Sequence, residues 1–409
     1  MCRLFLTYVL ALLASVSMAQ VAEAGDASAR ADAAGAVEVL PDSSNFVTAS
    51  ILISSPGKEM FFALGHCGLR LQCPSKGLDY CFSFSTIVPP GPEFNLLLLS
   101  GKMKAGYEAL PYDEYLDTFR KDGRGVVEYP LNLTLSEERE LWRKMDNLMM
   151  KGPTMKFDFL LHNCTSTIYH AVGSILESEH FAFPSVYPLN LRTRDAFHEL
   201  FKDAPWLEFM GLLMLSSPHP DSPSQIDLLL CPSLFASLLN EGEFVAIDGS
   251  RRPILEGAPK ETLPLTAPVK TPFLSPVWVF GLLLMVLSLV TLSEWLLGWR
   301  RLAVVTDRIL FVIYTLLAVY LLYASCFRLY GCVWNRFFLV INLLPFLLWL
   351  LFRKKAFYRH VWGAYSVALI AFAVYYCLVM SRMEWAVVLM LSCWLVRCAS
   401  RYFLSRRSV

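Results

Sequence analysis

Residues Phe157–Ser166 read "FDFLLHNCTS": an apolar run that stops at an asparagine, followed by one cysteine and a cluster of hydroxyl residues. Downstream, Ile168, Ala171, Val172, Ile175 and Leu176 recur at i, i+3, i+4, i+7 and i+8, the spacing of one buried helical face. Asn163 is a preferred N-cap residue. The pattern predicts a helix that begins at Cys164 and packs into a core, with the thiol in its first turn. There, unpaired backbone N–H groups and the positive end of the helix dipole favour a thiolate and can hold an oxyanion. Two plainer readings compete. Cysteine is more often a buried packing residue than a nucleophile, and it is also used in disulfides.

Working outward, the 409-residue chain is 55% hydrophobic with a formal net charge of +1, so it has no basic footprint for nucleic acid. The hydrophobicity concentrates after residue 276. Five apolar segments near Val277–Leu297, Ile309–Phe327, Phe338–Phe352, Val361–Met380 and Trp385–Phe403 predict an all-α bundle of about five transmembrane helices over residues 277–409. Cationic residues test the order of the connections. Arg300, Arg301, Arg308, Arg353, Lys354, Lys355, Arg359, Arg401, Arg406 and Arg407 fall on one side, against Arg328, Arg336 and Arg382 on the other. That asymmetry places the preceding domain outside and the C-terminus in the cytoplasm. Glu294 and Arg397 fall near cytoplasmic helix ends, where snorkelling accounts for them. Pro345 predicts a kink in the third segment. No run of intramembrane charge marks an ion pathway, which argues against a transporter or pump.

The N-terminus fits export. Arg3, an apolar stretch over Leu4–Val16, and small residues ending at Ala19 or Ala24 read as a signal peptide over residues 1–24. Residues 25–45 form a leader rich in Ala, Asp and Gly, residues 46–245 the exported domain, and residues 246–276 a Pro-rich tether. Within the domain, strands are expected over Phe46–Ser54, Met60–Leu71, Tyr80–Val88 and Val126–Leu133. Helices are expected over Pro111–Arg120 and Ser136–Lys151, the second entered through a Thr134–Glu137 capping box.

The domain holds Cys67, Cys73, Cys81, Cys164 and Cys231, an odd set of which four can pair; a Cys73–Cys81 bridge across the hairpin turn they flank is one option, and sequence does not choose the pairing. His66 lies in "FFALGHCGLR", where the preceding glycine permits close approach to another element. His162 is a rival base for Cys164. The histidines and cysteines show no metal-ligand spacing, and no cofactor is called for.

Several segments in order resemble one family: "LISSPGKEMFFALGHCGLRL", "LLSGKMKAGYEALPYDEYLDTF", "LNLTLSEERELW", "FDFLLHNCTSTI" and "PWLEFMGLLMLSSP". They are similar to the exported domain of Lnb-type lipoprotein N-acyltransferases of Gram-negative bacteria, over roughly residues 46–240. The resemblance implies an α+β permuted papain-like (NlpC/P60-like) thiol domain followed by the membrane helices. It puts the family's histidine on His66 and its cysteine on Cys164, and Arg70, Gly101, Lys102 and Asn163 also match recurrent positions. Arg70 and Lys102 become candidate substrate contacts; the Cys164 backbone and Asn163 become the oxyanion and capping elements.

Three departures stand out. Ser83, in "FSFS", occupies the place of an Asn that would orient the histidine. Thr167 and Tyr169 replace basic residues, and residues 216–221 read "SSPHPD". The implied reaction moves an acyl chain from a phospholipid, through a Cys164 thioester, to the α-amine of a diacylglyceryl lipoprotein at the inner membrane, with the catalytic domain in the periplasm and the bilayer as a further partner. A membrane-tethered cell-wall cysteine peptidase or amidase, and a non-catalytic receptor or assembly protein, are the alternatives.

Overall fold

In the computed structural model the described residues are 47–58, 62–89, 91–150, 155–158, 162–184, 193–214, 230–267, 274–327, 335–351, 355–379 and 383–407. The expected signal peptide and leader, and the "SSPHPD" segment, lie outside them.

The β-branched run Thr48–Ser54 (β1) forms a central strand. It is followed by β2 (His66–Cys73), β3 (Leu78–Thr86), β4 (Lys104–Pro111), β5 (Val126–Pro130) and β6 (Met155–Lys156). Strands β7 (Glu179–Ala182), β8 (Glu243–Ala246) and β9 (Arg251–Pro253) form a separate three-stranded sheet. With β10 (Lys260–Leu263) the main sheet has seven strands in the order β10-β5-β1-β2-β3-β4-β6, with every pairing antiparallel. The helices of this part are α1 (Pro92–Leu99), α2 (Tyr112–Asp122), α3 (Leu135–Met150), α4 (Cys164–Gly173), α5 (Thr193–Phe201), α6 (Pro205–Met214) and α7 (Pro232–Glu241).

Strand alternation divides the core into two layers. Ile51, Ile53, Cys67, Leu69 and Leu71 face α3, α4 and α7 through Leu141, Ile168 and Phe235. Leu52 and Cys81 face the other way, under Tyr115, Leu116 and Phe119 of α2. The domain is thus an antiparallel sheet with helices on both faces.

Strand β2 starts six residues later than its apolar run predicts, because Gly65 turns the chain at φ +90° with its N–H bonded to the Phe62 carbonyl. A Cβ there would lie 2.3 Å from the Ser54 carbonyl oxygen, so only glycine fits. The Cys73–Cys81 bridge that sequence left as one option is not formed: both cysteines are free. The register pairs Cys81 with Arg70 and Cys73 with Leu78, which puts the two thiols on opposite faces.

The expected tether also differs. Within it, Lys260–Leu263, the run between Pro259 and Pro264, carries the N–H groups needed to pair with β5 as an edge strand. Thr266 and Ala267 then both donate to the Gly123 carbonyl. The chain is therefore docked on the domain as far as residue 267.

Among the described residues, the C-terminal region has four helices long and apolar enough to cross a membrane: α8 (Pro276–Leu296), α9 (Arg300–Cys326), α11 (Lys355–Val379, apolar from His360) and α12 (Trp385–Arg407, apolar to Leu404). The segment expected over Phe338–Phe352 is instead a 3-10 turn, Arg336–Leu339, and an eight-residue helix, α10 (Leu344–Leu351), with Pro345 in its first turn rather than at a kink. At about 1.5 Å per residue, α10 is too short to span alone. Glu294 and Arg397 do not snorkel. Both are buried, Arg397 bridging Glu294 at 3.0 Å and Asp307 at 2.7 Å, with Arg401 joining both carboxylates.

Toward the sheet domain, Arg194 holds Glu384 through two hydrogen bonds of 2.5 and 2.7 Å and donates to Tyr376 at 2.8 Å. Asn335 donates to the Leu213 carbonyl at 2.7 Å, and Phe209 packs on Phe280. Helices α5 and α6 therefore seat the sheet domain on one end of the bundle.

Candidate active site

Helix α4 begins at Cys164, as its periodicity predicts. The Asn163 side chain accepts from the Thr165 and Ser166 N–H groups at 2.8 and 2.9 Å, and Ser166 Oγ accepts from the Asn163 N–H at 3.0 Å. This reciprocal cap fixes the helix start. Asn163 also donates to the Leu230 carbonyl at 3.0 Å, which ties the cap to the entrance of α7. Just before it, Asp158 and His162 exchange backbone hydrogen bonds in an isolated bridge. His162, the rival base, is exposed on that bridge.

Cys164 comes from the helix layer on one face of the sheet, and His66 leads β2 on the other. The link between the two sides runs through Cys67, the residue after His66, where the sheet opens. Pairing of β2 with β3 begins only at Gly68, opposite Ser83, so Cys67 has no β3 partner. The main-chain N–H of Cys67, the residue next to His66, acts on the Cys164 sulfur, together with the N–H groups of Cys164 and Thr165 and the Thr165 hydroxyl at 3.8 Å. Burial outweighs these donors and raises the thiol above its ordinary value. The sequence expectation of a helix-lowered thiol therefore fails here, because enclosure costs the thiolate more than the local dipoles return.

His66 is pulled down to about 4, first by burial and then by the charge of Arg124. Its imidazole is thus neutral across the physiological range. Arg124 is the residue that sequence reading missed. It is 4% exposed, and its Nη2 donates to Ser54 Oγ at 2.7 Å and its Nε to the Ser55 carbonyl at 2.9 Å. Ser54 is the cross-strand partner of His66, which brings the guanidinium beside the imidazole. Phe119 completes this side, with its ring 4.8 Å from the guanidinium carbon and 6.3 Å from the His66 ring.

The Tyr115 hydroxyl, 3% exposed as a residue, is buried without a hydrogen-bond partner among the described residues. It rests over Gly68, where a Cβ would come within 2.3 Å of it. In the sequence, "RKDGRGVV" offers Arg124 only as one more turn cation, and Tyr115 only as a periodic core position. The sheet register is what gives them neighbours.

The other expected site residues lie apart. Ser83 donates to Glu108 at 3.0 Å and pairs with Ser85 at 2.9 Å, so its described partners do not include His66. Arg70 is held bidentately by Asp79 at 2.8 and 2.6 Å, bonded to Glu128 at 3.0 Å, and stacked on Tyr112. Lys102 is exposed just beyond α1, after Gly101 at φ +63°. Among the described residues no group of three or more His, Cys, Asp or Glu is placed to hold a metal.

An α/β domain with a capped cysteine facing the main chain at Cys67, seated on long apolar helices, defines a membrane-anchored protein with a candidate thiol site. Its family follows from both halves. Residues 42–192 match the Lnb N-terminal periplasmic domain and residues 268–408 the Lnb transmembrane domain, and the chain belongs to the Lnb family. The sheet domain is therefore periplasmic and the helical region lies in a membrane. No curated protein and no solved structure matches the chain.

Proposed function

We propose that the protein is a lipoprotein N-acyltransferase of the inner membrane, working through a Cys164 thioester in a permuted papain-like domain. The observation that carries this reading is the Cys164 sulfur at a capped helix start, facing the Cys67 N–H beside a neutral His66, within an Lnb-family chain. His66 takes the thiol proton as the sulfur attacks the carbonyl carbon of a phospholipid acyl ester. The carbon–oxygen ester bond breaks, and the proton passes to the departing lysophospholipid alkoxide. The α-amine of a diacylglyceryl-cysteine then attacks the thioester and loses a proton to His66. The carbon–sulfur bond breaks, and the thiolate recovers that proton.

The N–H groups around the sulfur are the oxyanion donors. Arg124 supplies a standing positive charge for the anionic stages, a role that neither the thiol nor the neutral imidazole fills at rest. Arg70 and Lys102 stay in this proposal as candidate contacts for the lipid-anchored substrates, and Ser83 as a candidate support for His66.

We also infer that the chain crosses the membrane five times, with its C-terminus in the cytoplasm. Glu384, between α11 and α12, bonds Arg194 of the periplasmic domain, whereas Arg397 and Arg401, late in α12, meet Glu294 and Asp307 at the opposite end of the bundle. Helix α11 then runs outward, so the chain between α9 and α11 has to return inward through α10.

Mass spectrometry of lipoprotein N-terminal peptides tests the reaction. Cells carrying wild-type protein give N-acylated peptides, while cells carrying Cys164→Ala, or no protein, lack them. Unchanged N-acylation across the three ends the transferase reading.

A further inference from the structure

We infer that helix α1 dips the edge carrying Leu96 and Leu99 into the periplasmic leaflet of the bilayer, making lipid acyl chains the partner of this surface. Leu96 is 67% exposed, Leu99 48%, and Ile87, just before the helix, 53%. Leucines three apart share one side of a helix, and the flanking exposed positions are Glu93 and Asn95, which suit the headgroup region. The opposite side is locked down: Phe94 is buried with Phe84, Met103, Ala105 and Phe157. The apolar edge therefore cannot turn inward without dismantling that cluster.

What sets its depth is the membrane helix beside it. The Tyr323 hydroxyl donates to the Ser100 carbonyl, directly after α1, at 2.7 Å. Tyr323 lies three residues before the end of α9, whose span ends at Cys326 on the periplasmic side. A tyrosine there is at interfacial depth, and it holds the end of α1 at the same level. Exposed Lys102 follows two residues later, within reach of lipid phosphates. Lipid is chosen over a protein partner because this face continues a surface already in the bilayer. The anchored side also shares its core with Phe157, the first residue of the segment leading to Cys164, so the leaflet and the thiol segment are mechanically linked.

Photolabelling of the full-length protein tests this without requiring turnover, so it stands or falls separately from the acyl-transfer reading. The protein is placed in phosphatidylethanolamine–phosphatidylglycerol vesicles containing a phospholipid with a diazirine near its ester, irradiated, and mapped by mass spectrometry. Adducts are expected at Leu96 or Leu99 alongside those on the four long apolar helices, which serve as the internal standard. In an L96E/L99E variant the α1 adducts are lost while helix labelling continues. Labelling of the helices with none across residues 87–99 overturns the inference. So does protection of residues 87–99 together with a dimeric mass, which would assign the surface to a second copy.

Discussion

Cys164 and His66 rest as a neutral thiol and a neutral imidazole, because burial raises one and lowers the other. The fixed charge near them is Arg124, and its removal has a defined sign. In an Arg124→Met variant His66 becomes easier to protonate, so the acid limb of acyl transfer moves from near 4 upward toward 6.5. The Cys164 thiolate loses a favourable charge, so its alkylation by iodoacetamide, read on the Cys164 peptide, shifts to higher pH. A purely structural defect would lower the rate at every pH and leave both limbs in place. The residues legible beforehand, Cys164, Asn163 and His66, sit in local patterns. Arg124 and Tyr115 were not legible, since their environment is made by strands and a helix tens of residues away.

Helix starts are encoded locally, and they were readable: Asn163 caps α4, and Thr134 and Glu137 cap α3 through bonds of 2.7 and 3.4 Å. Strand limits depended on partners, as the late start of β2 and the pairing of Lys260–Leu263 with β5 illustrate. Helix α5 carries the junction with the membrane bundle, where His198 lies between Glu208 at 2.5 Å and Glu384 at 3.3 Å. Burial opposes its protonation, but the hydrogen bonds it donates to Glu208 and then Glu384 win and push it up to about 9. Its contribution is fully present below the unfolded value of 6.5 and is lost as pH rises through about 9, roughly 3 kcal/mol at most. The thermal midpoint in detergent is therefore expected to fall between pH 7 and about 9.5 in wild type. A His198→Phe variant, lower overall, should show a flatter profile over that range. Equal slopes in the two proteins would remove the junction as the cause.

At the scale of the molecule, the two buried ion clusters sit at opposite ends of the bundle and register its helices against one another. Without Arg397, Glu294 and Asp307 keep Arg401 as their one described cation, so a variant loses part of the about 3–5 kcal/mol that breaking a buried ion pair typically costs. The proposed five crossings predict that a green fluorescent protein fused after Val409 fluoresces and that alkaline phosphatase fused there is inactive. The reverse pattern would mean that the stretch containing α10 does not return the chain inward.

Sequence alone determined the division into an exported domain and membrane helices, the start of α4 and the position of its cysteine. These depend on composition, period and capping within a few residues. Tertiary structure decided which face His66 occupies, which cation sits beside it, that the Cys164 thiol is raised rather than lowered, and that Glu294 pairs with Arg397 instead of reaching for water. Each of those is a property of enclosure and of neighbours distant in the chain, and burial energies depend on what surrounds a group rather than on what precedes it.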